Sequence, residues 1–366
     1  MEIKSNLISN TRLINQKIAG TDFKTPKEIV SWMGAIQAQD YSMALWAIGT
    51  RLSGSTKKTV ESSFDNGEIL RIHVLRPTWH FISADDIYWM LQLSSIKIKS
   101  SLKTRHFQLG LTEPVISKTI EILEKELANG SNLTREELAS EFGKAGIKTD
   151  ENRLSHILFR AEMDGIICSG PIKDKKQTYS LLYERVPHKT DFSRNDALAE
   201  LAKRYFKSRC PATSEDFAWW SNLSAADVRK ALDFIRSDFF CETIKNSKYW
   251  FPNSYTGGKL EKNSVNLLPA YDEFLISYKD RSRSLSAVNN KKTVSDNGIF
   301  YPIIVVNGQV AGVWKRKIQK NKVILETDFF RQPDLSVIKR LKIRALSFGR
   351  FLDKEIEMLP EIYNES

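Results

Sequence analysis

Thr134-Arg135-Glu136-Glu137, near the middle of the chain, is the opening of a helix. A threonine hydroxyl can accept from the backbone N–H three residues on, and a glutamate there can reach back to the threonine N–H. Gly143 and Gly146 break that helix, a helical run over 152–164 follows, and Gly165 closes it. Next come Ile166-Ile167-Cys168 and Thr178-Tyr179-Ser180-Leu181, two strand-like runs either side of Gly170-Pro171-Ile172-Lys173-Asp174-Lys175-Lys176. With the apolar helical spacing over 115–127 in front, the order is helix, helix, helix, hairpin. That is the grammar of a winged helix, and the lysine-rich hairpin reads as its wing.

The same order recurs on both sides. Downstream, 195–207 is helical, Thr213-Ser214-Glu215-Asp216 caps a helix carrying Trp219 and Trp220, and Ser224 with Asp227 caps a third. Strand-like runs over 239–244 and 249–251 complete the unit. Trp219 and Trp220 read as core packing rather than as stacking platforms. Upstream, helices are predicted over 13–18, 26–35, 44–52 and 60–66, with a strand pair over 69–75 and 78–82. After a Gly, Asn and Lys-rich linker at 253–262, strands are predicted over 265–268, 274–278, 299–306, 309–317 and 322–327. Asn307-Gly308 is a hairpin signal, because both residues tolerate positive φ. A basic amphipathic helix over 335–352 closes the chain. The expected fold is therefore α+β, three tandem winged-helix modules followed by a C-terminal β-barrel-like domain. The limits are 1–110, 111–188, 189–255 and 256–366, with the closing helix in the last.

Lys and Arg number 55 against 44 Asp and Glu, a net charge of +11 over 366 residues. A basic chain commonly meets nucleic acid, because released counterions drive phosphate binding; a merely basic enzyme has the same balance. Residues 1–19 carry no continuous apolar core, so no signal peptide is expected, and no stretch is apolar for the ~18 residues a membrane helix needs. Cys168, Cys210 and Cys241 are far apart and form no CxxC pair, which points away from a disulfide framework or a zinc site. A monomer in a reducing cytoplasm, associated with the nucleoid, is the expectation.

Phosphate-loop, dinucleotide, HExxH and GxSxG motifs are missing, and His73, His80, His106, His156 and His188 are scattered without ligand spacing. No cofactor and no metal is expected. One polar segment interrupts an apolar region: Met33-Gly34-Ala35-Ile36-Gln37-Ala38-Gln39-Asp40-Tyr41. In extended backbone, residues two apart share a face, so Gln37 and Gln39 could address one ligand. A carboxamide both donates and accepts, and so can hold a water or a base edge without adding charge. Capping or polar filler is the plainer reading of the same residues.

Gly34 to Tyr41, with Ala44, Trp46 and Ala47 behind it, resembles the signature of the AlkZ/YcaQ family of DNA glycosylases. So do Arg76-Pro77-Thr78-Trp79-His80, Leu267-Leu268-Pro269-Ala270-Tyr271-Asp272-Glu273, Tyr278-Lys279-Asp280-Arg281 and Gly308-Gln309-Val310-Ala311-Gly312-Val313-Trp314. Spaced motifs in order over nearly the whole chain are more specific than any one alone. The resemblance implies three winged helices plus a β-domain, removal of alkylated purines from double-stranded DNA, and in some members the unhooking of interstrand crosslinks. It assigns catalysis to Gln37 and Gln39, the family's Gln-x-Gln type, associated with crosslinks and bulky adducts. Asp40 and His80 are candidate neighbours; Asp40 also reads as the cap of the next helix, and His80 as structural. Lys173, Lys175 and Lys176 are candidate DNA contacts, or a solvated hairpin tip. The alternative function is a non-enzymatic winged-helix DNA-binding regulator. An RNA-binding module is a third reading, and the chain has no RNA-type aromatic motif to favour it.

Overall fold

The fold is that of a computed structural model, which describes residues 2–188, 191–258, 260–359 and 362–363. Limits placed at 1, 189 and 366, and residue 259 of the proposed linker, lie outside the described residues. Helices and strands are mixed throughout, an α+β arrangement. By contact the chain divides into Ser62–Leu198 and a second unit made of Met1–Glu61 with Ala199–Ser366.

Within Ser62–Leu198 the capping sequence performs as its chemistry requires. Glu137 N–H donates to Thr134 Oγ1 at 3.2 Å and Thr134 N–H donates to Glu137 Oε2 at 2.7 Å, opening the helix Arg135–Lys144. The helices Glu113–Glu126 and Arg153–Met163 pack with it over Ile116, Leu123, Leu138, Phe142, Ile157 and Leu158. Gly165, at φ 72°, turns the chain out of the last helix into Ile167–Ser169. That strand and Leu133–Thr134 flank Thr178–Leu181 in a three-stranded sheet. At the hairpin tip Lys173 and Lys176 exchange both backbone hydrogen bonds, while Asp174 and Lys175 take φ of 50° and 65°. This is a two-residue turn with both central residues left-handed, the type that matches strand twist. A second hairpin pairs Ile69–His73 with Trp79–Ser83. The 22-residue helix Ile87–Gln108 that follows it has no counterpart among the elements expected from sequence.

In the other unit, four antiparallel strands form a meander: Val265–Leu268, Ile303–Val306, Gln309–Ile318 and Lys322–Phe329. Glu355–Met358 and Ile362–Tyr363 add parallel pairings to the last of these. A register shift between Ile304 and Val305 marks a bulge, which bends the sheet. Asn307 and Gly308, at φ 48° and 78°, make the predicted hairpin turn. The closing helix Leu335–Leu352 presents Phe348 and Phe351 to Trp46, whose indole N–H donates to Leu267 O at 2.8 Å. The N-terminal helices are thereby fixed to the sheet.

One expected element is wrong in kind. The run 274–278 reads as a strand, yet Glu273–Ile276 is a helical turn. Asp272 Oδ1 accepts from Phe274 N–H at 2.8 Å and so caps it. The turn leaves Glu273 and Ser277 on one side, where both meet Arg209. Five apolar-rich residues cannot distinguish strand from buried helix by periodicity; the buried carboxylates decide it.

Candidate active site

The helix Pro26–Met33 begins at a capping box of Thr25 and Glu28 and stops at Gly34, φ 70°. Ile36–Gln37 is then extended, residues 39–40 bend, and Asp40 caps the helix Tyr41–Gly49. The glutamine pair thus sits on a short connection pinned at both ends by helices. Gln37 is buried, 5% exposed, and Gln39 is exposed. The extended geometry covers the first glutamine and ends before the second.

What holds this connection is a buried charged cluster. Glu273 Oε1 accepts from the Gln37 backbone N–H at 2.9 Å. The Arg209 guanidinium donates to Met33 O at 2.6 Å, to Ala35 O at 2.9 Å and to Glu273 Oε2 at 2.8 Å. Trp220 Nε1 donates to the same Glu273 oxygen at 3.1 Å, and Ser277 Oγ donates to it as well. Both charged side chains are fully buried. Burial alone would raise the Glu273 pKa; Arg209, Ser277 and the Gln37 N–H outweigh it and hold the value at about 2. Its neighbour Asp272 takes a second buried arginine: Arg51 Nη1 and Nη2 meet the two carboxylate oxygens at 2.9 and 2.8 Å. The pair is bidentate, the geometry in which an arginine–carboxylate contact is strongest and most directional.

Asp40 has its own partners. Oδ1 accepts from Met43 N–H at 3.1 Å and from Ser42 Oγ at 2.9 Å. Arg316, on the strand Gln309–Ile318, donates to Ser42 Oγ at 2.5 Å and lies 3.8 Å from Asp40 Oδ2. Burial lowers the Arg316 pKa, and Asp40 opposes that shift. The cap that the sequence suggests is formed, and it places a carboxylate and a guanidinium beside the exposed Gln39.

Gln37, Gln39 and Asp40 are therefore gathered on one connection in one unit. His80 and the three lysines belong to Ser62–Leu198. His80 is fully buried on Trp79–Ser83, with Nδ1 2.9 Å from Thr78 O. Lys173 Nζ meets Glu137 at 2.8 Å and Lys176 Nζ meets Glu136 at 3.5 Å, both pairs exposed. Lys175 is exposed at the turn. Sequence reasoning passed over Arg209, Arg51 and Arg316. Its one available signal was Asp272-Glu273 set among apolar residues, since adjacent carboxylates in such a setting need buried cations. Among the described residues no group of three or more His, Cys, Asp or Glu is placed to hold a metal ion, and no helix is long and apolar enough to cross a membrane.

The elements around residues 34–49 thus hold a glutamine pair on a short connection braced by buried arginine–carboxylate pairs, within a mixed α+β fold. The AlkZ-like DNA glycosylase family matches residues 30–340, and the chain belongs to it. It is an enzyme that acts on DNA. It is similar to an interstrand DNA cross-link repair glycosylase from Streptomyces sahachiroi, 23% identical over 341 residues, covering 88% of this chain and 90% of that protein. The solved structure of the Streptomyces sahachiroi DNA glycosylase AlkZ superposes with a TM-score of 0.78 at 19% identity, over 97% of this chain and 99% of that one. The likeness in fold thus spans essentially the whole chain.

Proposed function

We propose that this enzyme hydrolyses the N-glycosidic bond of purines alkylated at a ring nitrogen in double-stranded DNA, and that it unhooks interstrand crosslinks built from such purines. The observation that carries the reading is Gln37-Ala38-Gln39 on a connection whose main chain is clamped by Arg209 and Glu273. The cross-link repair enzyme to which the chain is similar supports the second half.

The chemistry asks little of an acid. Alkylation has already made the base cationic, so the C1′–N bond breaks with its electron pair moving onto the purine, which leaves neutral. The sugar becomes oxocarbenium-like, water adds at C1′, and the water's proton is released as the C1′–O bond forms. Glutamine cannot take that proton at neutral pH. Its carbonyl oxygen can accept from the water and hold it in line, and orientation of this kind lowers barriers by itself. Gln37 and Gln39 have that role, and the Asp40 carboxylate adds negative potential beside the developing positive charge while capping its helix. His80 has a structural role in this reading.

The three winged-helix modules over 1–110, 111–188 and 189–255, with the β-domain over 256–366, are the DNA-binding frame we assign. Lys173, Lys175 and Lys176 are phosphate contacts of the second module's wing, and the enzyme acts as a monomer without cofactor. Exposed ion pairs such as Lys173–Glu137 are weak and screened by salt, so a phosphate can displace the glutamate.

Two duplexes test the proposal, one carrying a single N7-alkylguanine and one carrying an interstrand crosslink through that position. Alkali-labile abasic sites should accumulate in the first, and separated strands in the second on a denaturing gel. Tight binding to both without base release would reverse the conclusion and leave a DNA-binding regulator.

A further inference from the structure

The unit Ser62–Leu198 contains a second polar site, remote in chemistry from the glutamine pair. The ring Nδ1 of His73, on Ile69–His73, lies within hydrogen-bond distance of Glu162 Oε2 at 2.6 Å, and the His73 backbone N–H donates to the same oxygen at 3.3 Å. Oε2 is thus satisfied twice. Oε1 of the same carboxylate has no hydrogen-bond partner, although Glu162 is only 1% exposed. Buried carboxylate oxygens are costly to leave bare, and such an atom calls for a ligand.

Glu162 lines a cavity of about 290 Å³. That is far more than the ~30 Å³ a single water occupies, and close to the ~300 Å³ at which small-ligand pockets begin. Its walls are flat and aromatic: Trp79 lies 3.9 Å from the His73 ring, Phe159 lies 4.2 Å from it, and Tyr179 completes the set. Arg135, which donates to Ser155 Oγ at 2.7 Å, also lines the space. The cavity therefore offers an anionic acceptor, a cationic donor and π faces together.

We infer that this cavity is a binding site for an amino-bearing nucleobase, adenine or cytosine in type. The exocyclic amino group would donate to Glu162 Oε1, a ring nitrogen or carbonyl would accept from Arg135, and the ring would lie against the aromatic walls. A fixed cation would fit poorly, because Arg135 stands on the same wall. A hydrocarbon would leave Oε1 bare. The base could reach the site as a free nucleoside or as an unstacked base of a DNA strand; the recognition chemistry is the same.

The test is binding to the full chain followed by ligand-observed saturation-transfer NMR, with 2′-deoxyadenosine against purine 2′-deoxyriboside, which lacks only the amino group. Deoxyadenosine should bind, and the amino-free analogue should bind at least about tenfold more weakly, the range for losing a hydrogen bond to a charged group. Glu162→Gln should weaken deoxyadenosine similarly. Ser155→Phe, which fills the cavity and leaves the His73–Glu162 pair in place, should abolish binding, so a folding defect in one variant does not decide the matter. Short oligonucleotides with one unpaired adenine or one abasic position separate the two sources: preference for the adenine strand over free nucleoside assigns an unstacked base, and equal binding assigns the free nucleoside. No deoxyadenosine or adenine-strand binding at millimolar concentration, or equal binding of both nucleosides, or binding unmoved by both variants, would overturn the inference. Base excision is not the readout, so this result and that of the glycosylase assay are independent.

Discussion

Gln37 and Gln39 stand two residues apart in different surroundings, one buried on a strand and one exposed in a bend. In the mechanism we propose their neutrality matters, because an amide can order a water without adding charge. Replacing Gln39 by Asp brings a carboxylate next to Asp40. With Arg316 3.8 Å from Asp40, the added charge has a cation nearby. We expect Gln39→Asp to keep its rate on small cationic alkylpurines, because a carboxylate can accept the water proton and stabilise the oxocarbenium. It should lose more on bulky adducts. Single-turnover rates on an N7-methylguanine duplex and on a bulky-adduct duplex measure the split; equal losses on both would remove the substrate-selective role from Gln39.

At the level of elements, the hairpin of residues 170–176 carries a prediction of its own. Each neutralised phosphate adds about 0.9 to the slope of log K against log salt. Changing Lys173, Lys175 and Lys176 together to Gln should flatten the slope, and Lys175→Gln alone should account for much of it, since Lys173 and Lys176 must first leave Glu137 and Glu136. An unchanged slope assigns the hairpin to solvent. Elements with strong local chemistry were readable in advance: the Thr134–Glu137 and Thr213–Asp216 capping boxes, the Asn307-Gly308 turn and the Asp40 cap all form as their side chains dictate. Elements set by distant partners were not. The helix Ile87–Gln108 buries Ile87, Trp89, Met90, Leu91 and Leu93 in its first turns, so it shows no single apolar stripe. The turn Glu273–Ile276 depends on Arg209, 64 positions away in sequence, which no window of local residues contains. The glutamine pair was visible as an oddity of composition. The arginine clamp beneath it was not, because buried charge leaves no periodic mark.

The largest scale is set by those buried pairs. Arg51–Asp272 and Arg209–Glu273 tie the N-terminal helices to the segment 267–280, all within one unit. Removing one partner of such a pair leaves an uncompensated buried charge and typically costs ~3–5 kcal/mol. Glu273 has a folded-state pKa of about 2 against an ordinary 4.5. A carboxylate with a depressed pKa contributes stability that is fully present above the unfolded value and lost as pH falls through the folded one. Urea unfolding of the parent and of Glu273→Gln should therefore differ most above pH 4.5, and the gap should narrow as pH approaches 2. A gap independent of pH would mean that the carboxylate charge does not brace the site.

In the proposed mechanism two neutral amides position the attacking water. The most direct measurement of that role is the single-turnover rate of base release from an N7-alkylguanine duplex by the parent, Gln37→Ala and Gln39→Ala, with duplex affinity measured on the same preparations. Rates should fall by ~10–1,000-fold, the range for losing a positioning or charge-stabilising hydrogen bond, with affinity held within a few-fold. Base release at the parental rate by both variants would contradict that mechanism and return the glutamine pair to a structural role.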